Sequence, residues 1–276
     1  MFDLQKVYQK KLNPKDFKKL SQFIYTNFGI QIKDSKKIML QSRLHKRLKA
    51  LQMNDFSEYV KFLFSPAGKE EIIHMIDVVS TNKTDFFREA THFDFLTEKI
   101  LPRMENNRHL KIWSSACSSG EEVFTLAIMM EEFNLGMKKL NYHILGTDIS
   151  TRIIEKANNA IYPIKLIENI PLNLKKKYFL KSKDQKNVRI IPELRKKAIF
   201  KRLNLMDSFY NVPNDFDIIF CRNVLIYFDR ETQKAVISKL LDRLKKGGFL
   251  FLGHSESIAG YNFDLNQLQT TIFQKR

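Results

Sequence analysis

The sequence predicts an α/β fold: a parallel sheet with helical crossovers, preceded by an all-helical domain and interrupted by a small antiparallel insertion. Three observations carry this. A short apolar run, a turn of small residues and a buried-helix pattern follow one another in Leu110-Lys-Ile-Trp-Ser-Ser-Ala-Cys-Ser-Ser-Gly-Glu-Glu122 and residues 123–133. From there strand and helix patterns alternate, which implies parallel strands joined by crossovers, whereas no strand signal precedes Leu110. The alternation breaks once, from Tyr162 to about Arg195, in a Lys-rich segment punctuated by Pro163, Pro171 and Pro192 and carrying Val188-Arg-Ile-Ile191. The expected division is residues 1–90 for the helical domain and 91–276 for the sheet domain, with the inserted piece at about 162–197.

A chain of 276 residues with 43% hydrophobic and 12% aromatic content is globular and long enough for a sizeable core. No stretch approaches the roughly 18 unbroken apolar residues of a membrane span. The start, Met1-Phe-Asp-Leu-Gln-Lys6, has no cationic region followed by an apolar core, so no secretory signal is expected. Cys117 and Cys221 form no Cys-x-x-Cys or Cys/His ligand pattern, so no metal is expected and they read as small buried residues of a reducing compartment. The expected location is the cytoplasm. The net charge of +17 suggests an acidic partner, but its lysines are spread through the whole chain, so local clusters are more informative.

Asn13-Pro14 starts the first helix and Gly29 ends it, with Phe17, Leu20, Phe23, Ile24 and Phe28 at helical spacing between. A second helix, about 34–51, has Ile38, Leu40, Leu44, Leu48 and Leu51 as its apolar side. Its other side carries Lys36, Lys37, Arg43, Lys46, Arg47 and Lys49, either a solvated face or a docking face for an acidic helix. Helices over 56–64 and 70–79 complete the bundle. The polar linker Thr81-Asn-Lys-Thr-Asp-Phe-Phe-Arg88 leads to a further helix, about 92–104, with Pro102 near its end.

In the sheet domain, strands are expected at 110–115, 141–149, 198–205, 216–221 and 249–252, with a final edge strand at 271–276. Helices fall at 151–159 and 231–244, the latter closed by Lys245-Lys246-Gly247-Gly248. Trp113 reads as core, and His254 as a structural hydrogen-bonding residue. Strand ends then converge on one sheet edge, bringing together Gly120 with Glu121 and Glu122, Asp148, Asn204-Leu205, and Arg222-Asn223. Ligands of open α/β sheets bind outside the carboxyl ends of the strands, with an acid at the second strand for ribose hydroxyls. An adenosine would find Asp148 for its ribose and Asn204 with Leu205 near its base. No G-x-G-x-x-G follows the first strand, and Glu121 and Glu122 would repel phosphate. A cationic or zwitterionic ligand fits instead, and S-adenosylmethionine is one.

The linker motif together with Ile112-Trp-Ser-Ser-Ala-Cys-Ser-Ser-Gly-Glu-Glu122, Gly146-Thr-Asp148, Phe220-Cys-Arg-Asn-Val-Leu-Ile-Tyr-Phe228 and Gly253-His-Ser-Glu256 closely resembles the chemotaxis receptor glutamate methyltransferases, the CheR family. The resemblance spans nearly the whole chain. It implies a Rossmann-like class I methyltransferase sheet and methylation of glutamate side chains on chemoreceptor cytoplasmic helices. S-adenosyl-L-methionine would be the methyl donor, S-adenosyl-L-homocysteine the product, and no metal is expected. Carried over motif by motif, the cofactor contacts are Asn82, Thr84, Arg88, Glu122, Asp148, Asn204, Leu205, Arg222 and Asn223. Tyr227 matches a tyrosine that closes the site near the methyl; Arg88 and Tyr227 would position the reactants, and no general base is expected. The basic helix (Lys36, Lys37, Arg43, Lys46, Arg47) would face the receptor. Val123-Phe124 replaces the Pro-Tyr of many relatives, a change in packing. The piece Lys181-Ser-Lys-Asp-Gln-Lys-Asn187 is short and lacks glycine, so tethering to a receptor's C-terminal pentapeptide is not expected. A monomer is expected. The competing readings are a same-fold methyltransferase on nucleic acid, prompted by the charge, and a non-catalytic regulatory module that binds cofactor or receptor. The first lacks a base-stacking or Asn-Pro-Pro-Tyr motif, and the second sits poorly with retention of the acids and amides.

Overall fold

The computed structural model describes residues 9–136 and 138–276. Helices α1 (Pro14–Phe28), α2 (Lys37–Leu51), α3 (Phe56–Leu63) and α4 (Lys69–Val79) make the N-terminal bundle. Local chemistry sets their ends. The Asn13 side chain accepts from Asp16 N at 2.8 Å and Pro14 takes the first position of α1. Gly29, at φ 69°, donates its N–H back to Tyr25 O in the left-handed stop that glycine tolerates. Asp55 caps α3 while Glu58 accepts from Asn54 N, a near-reciprocal pair. Leu20, Ile24, Leu40, Leu44, Leu48 and Tyr59 pack into one core.

The cationic helix differs from expectation. Of the six cations named on this helix, Lys36, Lys37, Lys46 and Lys49 have no hydrogen-bond acceptor for their side chains among the described residues, whereas Arg43 and Arg47 are engaged by the fold. Arg47 forms a two-point pair with the buried Glu71 at 2.8 and 2.7 Å, and Tyr59 donates to the same carboxylate. Arg43 bonds Val79 O, Ser80 O and Thr81 Oγ1, tying α2 to the linker after α4. Ile38, expected on the apolar side, is 78% exposed.

α5 (Thr91–Phe95) continues through a π-helical turn and a 3₁₀ turn that contains Pro102. The sheet domain follows with β1 (His109–Ser114), α6 (Glu121–Phe133), β2 (Asn141–Asp148) and α7 (Thr151–Asn159). The insertion holds β3 (Ile161–Pro163), α8 (Leu172–Tyr178), β4 (Phe179–Lys181), β5 (Asn187–Ile190) and α9 (Pro192–Arg195). The main sheet resumes with β6 (Ala198–Arg202), β7 (Phe216–Cys221), α10 (Arg230–Arg243), β8 (Leu244–Leu252), β9 (Leu265–Gln269) and β10 (Ile272–Lys275). Its order is β6-β2-β1-β7-β8-β10-β9; the first five are parallel, and β10 runs antiparallel to β8 and β9. β3-β5-β4 is the small antiparallel sheet, as expected.

Strand alternation divides the core between two faces. Ile112, Ile218, Phe220 and Phe251 pack with α6, whereas Trp113, Ile219, Leu250 and Leu252 pack with α10. Two boundaries shift. Lys245-Lys246-Gly247-Gly248 follows the end of α10 but lies inside β8 and does not cap the helix, because Leu244 is already extended and pairs with Phe216. The last strand is not the edge; β10 lies inside β9, whose largely exposed polar residues leave no apolar pattern.

Candidate functional site

A cleft of about 1270 Å³ lies between the helical domain and the carboxyl ends of β1, β2, β6 and β7. Asn82, Thr84, Arg88, Glu122, Asp148, Asn204, Leu205, Arg222, Asn223 and Tyr227 all line it. The linker forms one wall, and Phe28, Lys36, Met39 and Arg43 contribute from the helical domain.

Beyond β1 the backbone turns through Ser115, Ala116 and Ser118, which line the cleft. Asp148, at the tip of β2, is fixed by backbone: Oδ2 accepts from Ser118 N and Oδ1 from Ser150 N, both at 3.0 Å. Burial pushes its carboxyl up, and these N–H groups oppose the shift without cancelling it. Asn82 O accepts from Ser118 Oγ at 3.1 Å, which fastens the linker to the same turn. Gly120 is not in the cleft wall. Its φ of 94° and the 3.1 Å from an added Cβ to the Ala157 Cβ show that glycine serves the turn and the seating of α7. Glu121 also faces away: it accepts from Ser119 Oγ, and burial pushes its pKa up to about 7. Glu122 is therefore the acid this turn gives to the cleft.

Glu122 accepts from Ser114 Oγ at 2.7 Å and from Arg222 Nη1 at 3.0 Å. Burial raises its carboxyl despite Arg222 and Ser114. Arg222, 5% exposed, is largely engaged by carbonyl and carboxylate acceptors: Glu122, the Arg88 carbonyl, and Glu89 Oε2 at 3.0 Å. Arg88 is the other kind of arginine. Its guanidinium bonds Lys83 O at 3.0 Å and has no carboxylate partner among the described residues.

Asn204 and Leu205 reach the cleft, but much of their polar capacity is used in the fold. Asn204 Nδ2 donates to Asn27 O of the helical domain at 2.8 Å, its Oδ1 accepts from Met206 N, and Leu205 O accepts from Tyr210 Oη and Lys239 Nζ. Tyr227 is half-buried; its carbonyl accepts from Gln31 N at 3.3 Å, so the segment after α1 braces it. Tyr25 Oη donates to Asp229, adding a second brace. His254 has the structural contacts expected of it, Thr91 Oγ1 at 3.3 Å and its own N–H to Glu89.

Two acids carry more than the sequence indicated. Glu89, at φ 56°, accepts from Arg222, from Asn223 Nδ2 at 3.0 Å and from His254 N at 3.2 Å. Burial pushes its carboxyl up, but the Asn223 amide and Arg222 outweigh it and hold the pKa below the ordinary value. Glu256, 5% exposed, accepts from the backbone N–H groups of Gly253, Asn223 and Leu225, fixing the left-handed Asn223. Glu256 ends the motif Gly253-His-Ser-Glu256, and Glu89 directly follows the linker motif Thr81–Arg88, a position that carries no signal of its own in the sequence.

The family model "CheR methyltransferase, all-alpha domain" matches residues 15–80, and "CheR methyltransferase, SAM binding domain" matches 82–274. A chemotaxis protein methyltransferase of Borreliella burgdorferi is 41% identical over 268 residues, covering 94% of each chain. Those of Salmonella typhimurium and Escherichia coli are each 36% identical over 258 residues, covering 93% of this chain and 88% and 89% of theirs. With the Rossmann-like sheet, the all-helical domain and the acid-lined cleft, these matches place the chain in the CheR family of S-adenosylmethionine-dependent methyltransferases.

Proposed function

We propose that this enzyme methylates glutamate side chains on chemoreceptor cytoplasmic helices, forming the glutamyl methyl esters used in sensory adaptation. The observation that carries the choice of nucleophile is the lining of the cleft: among its described residues there is no histidine and no cysteine, but there is an arginine without a carboxylate partner, Arg88. Such a cleft suits a nucleophile that is already ionised, and a glutamate with a pKa of about 4.3 is ionised at neutral pH. An amine or hydroxyl would also ask for a general base, and the wall's inner carboxylates, Glu122 and Asp148, are already held by Ser114, Arg222 and backbone N–H groups.

The residues present fit S-adenosylmethionine. Glu122 and Asp148 line the inner cleft, and Glu122 with Glu89 behind it flanks Arg222, an arrangement that suits a zwitterionic ligand better than a phosphate-bearing one. Asp148 would hold the ribose hydroxyls, and Glu122 with Arg222 and Asn223 the amino-acid end. Asn82, Thr84 and Arg88 would close over it from the linker, with Asn204 and Leu205 beside the base. Bound S-adenosylmethionine would supply an electrophilic sulfonium methyl: the O–C bond of the ester would form as the C–S bond breaks, with S-adenosylhomocysteine as leaving group and no proton transferred. Arg88 orients the incoming carboxylate and Tyr227 closes the reacting end, which is catalysis by position and water exclusion.

The receptor helix would dock along α2. Lys36 lines the cleft mouth, Lys37 and Lys46 are unpaired among the described residues, and Ile38, next to Lys37, stands exposed. Arg43 and Arg47 stiffen this face from behind through the linker and Glu71. The connection from β4 to β5 spans only residues 182–186, which supports a receptor contact made without a pentapeptide tether. Among the described residues no helix is long and apolar enough to cross a membrane; we place the enzyme in the cytoplasm, acting as a monomer.

The test is base-labile methyl transfer. Protein, methyl-labelled S-adenosylmethionine and chemoreceptor-bearing membranes are incubated, then treated with alkali to release methanol. Label that is alkali-labile and lost in Asp148→Ala supports the reading. Label in RNA or DNA that resists mild alkali refutes the substrate, and cofactor binding with no transfer refutes the activity.

A further inference from the structure

A second concavity, about 1170 Å³, opens at the other end of the main sheet, where β7 and β8 begin and Arg108 precedes β1. Its charge is one-sided. Lys99, Arg103, Arg108, Lys245 and Lys246 line it against a single acid, Asp217. That acid is buried and fully engaged: it accepts from Arg108 Nη2 at 2.7 Å, Lys245 Nζ at 3.0 Å and Lys111 N at 2.9 Å. Arg108 and Lys245 are thus partly neutralised by the fold. Lys99, Arg103 and Lys246 have no carboxylate partner among the described residues, although they come from two separate segments, the turns after α5 and the start of β8.

Like charges gathered around a concavity repel, and its low-dielectric walls strengthen their field on anything that enters. A ligand with several negative charges relieves that repulsion. The walls also include Phe95, Phe249 and Leu268, the last 43% exposed, which offer apolar surface to a flat ring. A concavity walled by both apolar and cationic side chains suits a small molecule better than a membrane surface or a duplex.

We propose that this pocket binds a phosphate-bearing small molecule with a planar ring, of the nucleotide class. The phosphates lie on Lys99, Arg103 and Lys246, where an arginine fork can grip oxygens in pairs, and the ring lies against Phe249 and Leu268. The site opens at the opposite end of the strands from the methyl-transfer cleft, so occupancy does not compete with S-adenosylmethionine.

The probes are adenosine diphosphate and inorganic pyrophosphate, titrated calorimetrically into full-length protein saturated with S-adenosylhomocysteine to block the cleft. The nucleotide should bind more tightly than pyrophosphate and weaken as salt rises. The triple variant K99Q/R103Q/K246Q should lose about tenfold or more in nucleotide affinity. Phe249 is core-facing on one side, so Leu268→Ser, at an exposed position, tests the ring contact and should narrow the gap between the two probes. The triple variant should keep its thermal unfolding midpoint and its methyl-transfer rate without nucleotide. Absence of nucleotide binding at millimolar concentration, equal affinity for the two probes, or equal affinity in the triple variant would each overturn the proposal.

Discussion

Replacing Glu89 by glutamine tests whether the acid that seats Arg222 and Asn223 belongs to the working site. Both carboxylate oxygens accept: Oε2 from Arg222 and His254 N, Oε1 from Asn223 Nδ2. Glutamine keeps one acceptor and turns an NH₂ toward donors, so it is not conservative here. A buried charge stripped of every partner costs about 3–5 kcal/mol. Arg222 keeps Glu122 and the Arg88 carbonyl, so the cost should fall to about 2–3 kcal/mol, near the loss of one charge-assisted bond with a mispaired neighbour. Because Asn223 and Arg222 line the cleft, their displacement should lower the methyl-transfer rate by about tenfold to a hundredfold. Urea unfolding and single-turnover transfer read the two effects. Glu89→Asp, which keeps the charge, should lose less stability. If Glu89→Gln unfolds within about 0.5 kcal/mol of the parent and transfers methyl at the parental rate, the carboxylate is a bystander and the reasoning fails. The pH dependence has a defined sign: the folded pKa lies below the ordinary value, so this stabilisation is present above that value and lost as pH falls through the folded one.

Three further changes probe the frame of the cleft. The raised carboxyl of Glu121, at about 7 in the folded protein against 4.5, holds its proton while the unfolded chain has lost it. Its contribution is full below the unfolded value and lost as pH rises through 7, up to about 3 kcal/mol; Glu121→Gln should gain that much on the parent between pH 4.5 and 7.5 in urea titrations, and a constant difference would contradict it. Gly253→Ala sets a Cβ 2.6 Å from Asn223 Nδ2 and 2.8 Å from Glu256 Oε2; about 1–3 kcal/mol of overpacking and weaker cofactor binding should appear together in unfolding and calorimetry. Gly29→Ala combines φ 69° with a Cβ 2.7 Å from Phe228 Cδ1, so amide exchange should rise across residues 27–31 and 224–229, where the two domains meet.

What the sequence made legible depended on how local the physics was. α1 was readable because Asn13, Pro14 and Gly29 supply their own cap and stop within the helix. Glu122, Asp148, Asn204, Leu205, Arg222 and Asn223 were readable because a parallel sheet collects chemistry at its strand tips, wherever the intervening chain goes; Asn82, Thr84, Arg88 and Tyr227 came only from the family resemblance. β9 was not, since Leu265-Asn-Gln-Leu-Gln269 owes its place to backbone pairing with β10 and carries no apolar period. Arg43 and Arg47 read as surface charge because their acceptors, Glu71 and the carbonyls after α4, come from another helix and the linker. The same distance effect separates the two cleft arginines. The resemblance made Arg88 and Arg222 alike as cofactor contacts, but Arg222 already holds Glu89 and Glu122, and every further anion near it would meet those acids first. Among the described residues, Arg88 has only a carbonyl to hold. On the proposed function, the positive end of the cofactor therefore belongs beside the Glu89–Arg222–Glu122 cluster, and the negative substrate beside Arg88. That separation follows from acceptor counts, which only the folded chain reveals.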